Sequence, residues 1–244
     1  MSKDFTLKGG NWWEFYFVRY FIGSVFGAFI ILGIMFHPDS GMNEVFLDFI
    51  TVEDVTLKDI SSSILFGLLF LGAAFCYVAS APVLVVHTLR YRFTYSWSTN
   101  GVVKRWITIL GLFAGLSYAL WQVLSFNLLR GVLTVPALFL VFIQLVMLVS
   151  CVQPSNRDIF GFYKKLARDR ANQDIYKQDY TESYRHLREH GNAYLILICE
   201  SALGMALFVC NSFSDMIILL LIWLLPVIPI WFVATYLESR LKNV

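Results

Sequence analysis

Charge is scarce in this chain. Asp, Glu, Lys and Arg supply 15% of the 244 residues, against 58% apolar side chains and a mean hydropathy of +0.65. Soluble domains carry about 25% charged residues, so a freely dissolved globular fold is excluded. Paired cysteines are missing as well. Cys76, Cys151, Cys199 and Cys210 lie in or at the edge of apolar stretches without the short spacings of a disulfide framework. They read as small packing residues. No G-x-x-x-x-G-K-[ST] loop occurs, which excludes an ATPase built on that loop. The absence of T-V-G-Y-G and of an arginine ladder excludes a standard potassium filter and a voltage sensor. Gly115-Leu116-Ser117 has the look of an intramembrane serine protease motif, but no histidine lies within any long apolar stretch to act as its base. With no nucleophile and base in register and no cofactor motif, the chain reads as a non-enzyme that needs no cofactor.

What fills the sequence instead is long apolar runs. A membrane helix needs about 20 such residues to cross a core of roughly 30 Å. Six runs qualify: 15–36, 64–86, 106–126, 132–152, 193–210 and 216–237. The fold class expected is therefore all-α, a polytopic membrane helical bundle of about six transmembrane helices. Only Asn127 to Gly131 separates the third run from the fourth, and Asn211 to Asp215 the fifth from the sixth, so each pair reads as an antiparallel hairpin. Pro226 and Pro229 predict a kink in the last run. The first run begins late and has no small-residue cleavage pattern after it, so it is expected to be retained.

Orientation follows from the basic residues, which stay on the cytoplasmic side. With both ends inside, segments 1–14, 87–105, 153–192 and 238–244, together with Arg19, hold 17 of the 19 Lys and Arg residues, leaving Lys58 and Arg130 outside. The expected localisation is the inner (plasma) membrane, crossed several times. The external loop 37–63 is acidic, as a solvated loop or as an attractor of cations. Trp12, Trp13, Phe15, Tyr16 and Phe17 suit the cytoplasmic headgroup interface.

Residues 153–192 are too few for an independent domain and read as a short helical cytoplasmic segment. Ser155 and Asp158 have capping-box spacing, and Ile159, Phe162, Tyr163 and Leu166 then share one face. Arg157, Lys164, Lys165, Arg168 and Arg170, with Arg185 and Arg188 further on, are candidates for binding membrane lipid headgroups or an anionic ligand such as a nucleotide or oligonucleotide. His186 and His190 share a helix face, a spacing a metal accepts, but nothing nearby completes a site and an exposed charged helix is the simpler reading. Residues 179–191 have helical character, so the fifth span either begins outside the bilayer or breaks at Gly191.

Ionisable groups at membrane depth are costly and mark function by default. Arg19 is shallow enough to snorkel. Glu200 is deeper, in a stripe with Ala193, Gly204 and Asn211, and either lines a water-filled path or packs against a neighbour, Arg19 being one candidate. Gly111, Gly115, Tyr118, Gln122 and Ser125 form a second stripe on the third run, and Gln144 adds an amide to the fourth. Small residues one turn apart let helices approach closely. Gly23 with Gly27, and Gly72 with Cys76 and Ser80, repeat that spacing. So many protein-facing stripes in a small chain predict a homo-oligomer.

Six short spans, one basic cytoplasmic segment and no catalytic motif make a layout similar to the small membrane proteins of bacterial anti-phage defence operons. It resembles the Hailong-type channel effectors and, secondarily, the Kiwa-type membrane sensors. The resemblance is architectural and covers the whole chain. It implies an oligomer that works with a cytoplasmic partner protein. The expectation is an oligomeric gated ion channel or permeabilising effector controlled by a cytoplasmic ligand or partner. The alternatives are a non-conducting sensor or anchor that recruits a cytoplasmic enzyme, and an ion-coupled carrier.

Overall fold

The computed structural model describes residues 20–49, 62–89, 102–124, 128–152, 161 and 175–241, with residues 175–191 described as backbone helix only. The described residues form helices and no strand: α1 (Ile22–Phe36), α2 (Asn43–Phe49), α3 (Ser62–Ala79), α4 (Ala81–Leu89), α5 (Val102–Leu124), α6 (Leu128–Val152), α7 (Ile175–Phe208), α8 (Phe213–Leu224) and α9 (Val227–Leu241). Long apolar sequence favours this outcome, because a helix satisfies every backbone donor and acceptor internally where no water can.

Three helical stretches are long and apolar enough to cross a membrane: Ile64–Leu89, Val103–Gln122 and Arg130–Val149. A fourth is added if the bent pair Phe213–Leu224 and Val227–Tyr236 counts as one span, its two halves meeting at 40°. Ile22–Phe36 and Asn192–Phe208 are apolar but shorter. At 1.5 Å per residue, the 15 residues of α1 rise only about 22 Å. Phe66, Phe70, Phe139, Ile217 and Phe232 are among many large apolar side chains left on the exterior, a surface suited to lipid tails.

Two breaks shape the bundle. The first separates α3 from α4 at Ser80, where Ser80 N donates to Cys76 O and Val83 N to Ser80 O. Pro82 has no N–H, so the carbonyl four residues earlier, that of Val78, loses its helical donor. Trp223 Nε1, on α8, donates to that carbonyl at 3.1 Å, and the indole is fully buried. The second break lies at Leu225 and Pro226, between α8 and α9, where the prolines of the last run predicted a kink. One hydrogen bond thus joins the neighbourhoods of both breaks across 145 residues of sequence.

The start of α8 is a reciprocal cap. Ser212 is extended and its Oγ accepts from Asp215 N, while Asp215 Oδ2 accepts from Asn211 N. α7 runs unbroken through Gly191, and of the two courses open to that segment the structure takes the continuous one.

Packing follows the small residues. α1 lies along α3, α7 packs on α1, α3 and α6, α5 lies against α6, and α4 against α6 and α9. One end of the bundle is tied by Gly41 N donating to Phe208 O, Asn43 Nδ2 to Met35 O, and Arg130 to Asn211 Oδ1. At the other end His87, on α4, meets Asn192, on α7.

Candidate functional site

Glu200 sits in the middle of the apolar half of α7 with no solvent exposure. Glycine on α1 makes room for it. A Cβ at Gly23 would lie 3.0 Å from Glu200 Oε1 and 2.5 Å from Cys76 Sγ, so carboxyl, thiol and bare backbone meet at one point. The Cys76 thiol and the Glu200 carboxyl both crowd the place of that Cβ, and Cys199 precedes Glu200 on α7. Among the described residues neither carboxyl oxygen has a hydrogen-bond partner. Acidic side chains are charged at about 2.5–3.5 kcal/mol for a place at a membrane helix centre, so this position calls for a ligand or a role.

Gln144, on α6, shares this condition: it has no exposure, and both atoms of its amide lack a partner among the described residues. α6 and α7 pack on each other; from the tie between Arg130 and Asn211, Gln144 lies 14 residues along α6 and Glu200 11 residues back along the chain. Ser117, on α5, is a third residue with a buried polar atom, its Oγ, that lacks a partner among the described residues.

The remaining stripe residues divide. Gly204 is packed, with the Ile30 side chain 2.5 Å from where its Cβ would be, and Ala193 is half-buried. Asn211 is exposed, its side chain accepting from Arg130 at 3.0 Å, which makes it an end-of-bundle tie. Tyr118 and Gln122 face outward, and no described atom lies within 4 Å of a Cβ at Gly111 or Gly115. The structure therefore does not bring Gly111, Gly115, Tyr118 or Gln122 to Glu200, and among the described residues nothing packs on the two glycines.

Arg19, Arg157, Lys164, Lys165, Arg168 and Arg170 lie outside the described residues, as does the Trp12 to Phe17 run, and so do the side chains of Arg185, His186, Arg188 and His190. Among the described residues no group of three His, Cys, Asp or Glu is placed to hold a metal.

Sequence reasoning missed a cleft of about 560 Å³ bordered by α4, α7 and both halves of the α8–α9 pair, into which Tyr20, Tyr77, Ser80, His87, Asn192 and Trp231 face. His87 Nε2 donates to Asn192 Oδ1 at 2.7 Å. His87 lies one residue beyond the apolar run 64–86. It belongs to the helix, because Thr88 and Leu89 are buried and carry α4 onward. The missed signal was Pro82, whose ring interrupts the helix where the cleft opens. No protein-family model matches the chain, and neither the curated proteins nor the solved structures contain a significant match to it.

Proposed function

We propose that this chain is a multi-pass inner-membrane protein of bacteria that conducts ions, with Glu200 as the group that binds the permeating ion. It crosses six times with both ends and residues 153–192 in the cytoplasm, the arrangement favoured by the placement of its basic residues. The observation that carries the reading is a carboxyl with no exposure and no hydrogen-bond partner among the described residues, in the middle of an apolar helix. Glu200 faces the inside of its own protomer, so the route past it runs within one chain. The outward α5 face, small and polar at Gly111, Gly115, Tyr118 and Gln122, is the surface through which copies associate. The basic segment 153–192 is where a cytoplasmic ligand or partner protein acts on the gate.

Purified protein in liposomes, with an imposed ion gradient, tests this. The wild-type chain carries current, Glu200→Gln abolishes it, and Glu200→Asp keeps part of it. Equal flux from wild type and Glu200→Gln would sink the proposal. A second reading, an ion-coupled carrier, is favoured by the two broken helices joined at Trp223 and Val78, since discontinuous helices build the sites of many carriers. Saturable flux without unitary currents would select it, and Glu200 keeps the same role in both.

A further inference from the structure

We infer that the ion bound at Glu200 is a proton and that it arrives from the cytoplasmic face through the cleft at His87 and Asn192; this rests on the reading of Glu200 given above.

The route comes from three helices. Glu200 is enclosed by α1 at Gly23, by α3 at Cys76 and by its own helix α7. Each of these approaches the cleft within one helical turn: Tyr20, just ahead of α1, precedes Gly23 by three residues, Tyr77 follows Cys76 on α3, and Ile196 precedes Glu200 by four residues on α7. α1 and α7 run from the His87 end of the bundle toward the Asn211 end, and α3 runs back. All three offsets therefore point the same way, placing the carboxyl on the Asn211 side of these lining residues and within about one helical turn of them. By the distribution of basic residues, the His87 end is the cytoplasmic one.

The identity of the ion follows from what surrounds the carboxyl. A hard metal cation stripped of water needs a shell of about six oxygens. Among the described residues, the groups that meet the carboxyl at the Gly23 position are a glycine backbone and the sulfur of Cys76, and Cys199 precedes Glu200 on α7. Sulfur is a poor ligand for sodium or potassium, and no three-residue metal cluster exists among the described residues. A proton needs one oxygen. The titratable groups along the way are Tyr20, Tyr77 and His87 in the cleft and Cys76 and Cys199 at the carboxyl, and among the described residues no carboxylate lines the cleft to attract a metal cation. His87, held by Asn192, stands at the mouth.

The test uses the full chain in liposomes and in sided vesicles whose exposed face is identified by a C-terminal tag. With a pH-sensitive dye inside and no sodium or potassium present, wild type carries protons and Glu200→Gln does not. With the native cysteines kept, of which Cys76, Cys199 and Cys210 are buried, Ser80→Cys is modified by a charged, impermeant thiosulfonate from the tagged face, and modification stops the flux, whereas the wild-type chain treated alike keeps it. Lack of modification from that face, or modification with undiminished flux, overturns the route. Should that variant fail to fold, the wild-type chain is treated with a water-soluble carbodiimide. A Glu200 adduct found by mass spectrometry from the tagged face is expected, and its absence from that face overturns the route. Glu200-dependent flux carried only by sodium or potassium overturns the proton and leaves the preceding proposal standing. No Glu200-dependent flux of any ion overturns that proposal, while the two labelling experiments still decide whether the cleft leads to the carboxyl.

Discussion

Gly72 and Gly115 are both glycines in apolar helices, and their surroundings are opposite. A Cβ at Gly72 would collide with backbone, Ser24 O and Ala28 N of α1, whereas a Cβ at Gly115 would meet no described atom within 4 Å. Around the first lie Gly23, Gly27 and Gly204, each needed for contact across the α1–α3–α7 seam. Around the second lie Gly111, Tyr118 and Gln122 on the outward face of α5. The seam has spent its small residues on packing within the chain, and its product is the chamber that holds Glu200. The α5 face has the same composition, and among the described residues nothing packs on its glycines. What this teaches is that small-residue spacing marks a surface made for close approach without saying which surface will approach.

The largest effect is expected at the seam. Gly72→Ala forces α1 and α3 apart, because the atoms it meets are main chain and cannot swing aside. Overpacking usually costs about 1–3 kcal/mol where side chains can yield, and here the cost is at or above the top of that range. Thermal unfolding in detergent should show a large fall in Tm or loss of folded protein. A Gly72→Ala chain as stable as wild type would show that the seam is looser than its geometry.

Next comes the bond that closes the first helix break. Trp223→Phe keeps an aromatic ring and removes the N–H that serves Val78 O. A buried carbonyl left without a donor costs about 1–3 kcal/mol, so Tm should fall, by less than for Gly72→Ala. Pro82→Ala in the same chain restores an N–H at the position four residues after Val78 and should recover part of the loss. Lack of recovery would mean that the ring's packing, and not its hydrogen bond, holds α8 to α3.

The long helices were legible because apolar runs of membrane length announce themselves locally. Glu200 was legible for the same reason, as a lone acid in such a run. The break at Pro226 was readable from proline. Pro82 carried an equal signal at the other break, and with it the carbonyl of Val78 that needed a donor. The donor itself was not readable. Trp223 to Val78 and His87 to Asn192 span 145 and 105 residues, and no sequence period records a pairing made only when distant helices meet. The course of α7 at Gly191 was also open from sequence, since a glycine costs a helix only about 1 kcal/mol, an amount that neighbouring turns offset. The α5 stripe was visible as a stripe, and its outward direction was not.

The smallest effect on the single chain is expected on that α5 face, and it is the sharpest test of the comparison. Gly115→Ala adds a methyl group where no described atom stands within 4 Å, and alanine favours helix over glycine by about 1 kcal/mol. Unfolding in detergent should therefore be unchanged or shifted slightly upward, opposite in sign to Gly72→Ala. Gly115→Leu should behave alike in the monomer, because its side chain also points into open space. In lipid the two should part. If copies meet on α5, the leucine blocks close approach between helices, and cross-linking through Gln122→Cys should fall for Gly115→Leu far more than for Gly115→Ala. Equal cross-linking in wild type and Gly115→Leu would remove α5 as the meeting surface, leaving its glycines with no packing role in one chain or between two.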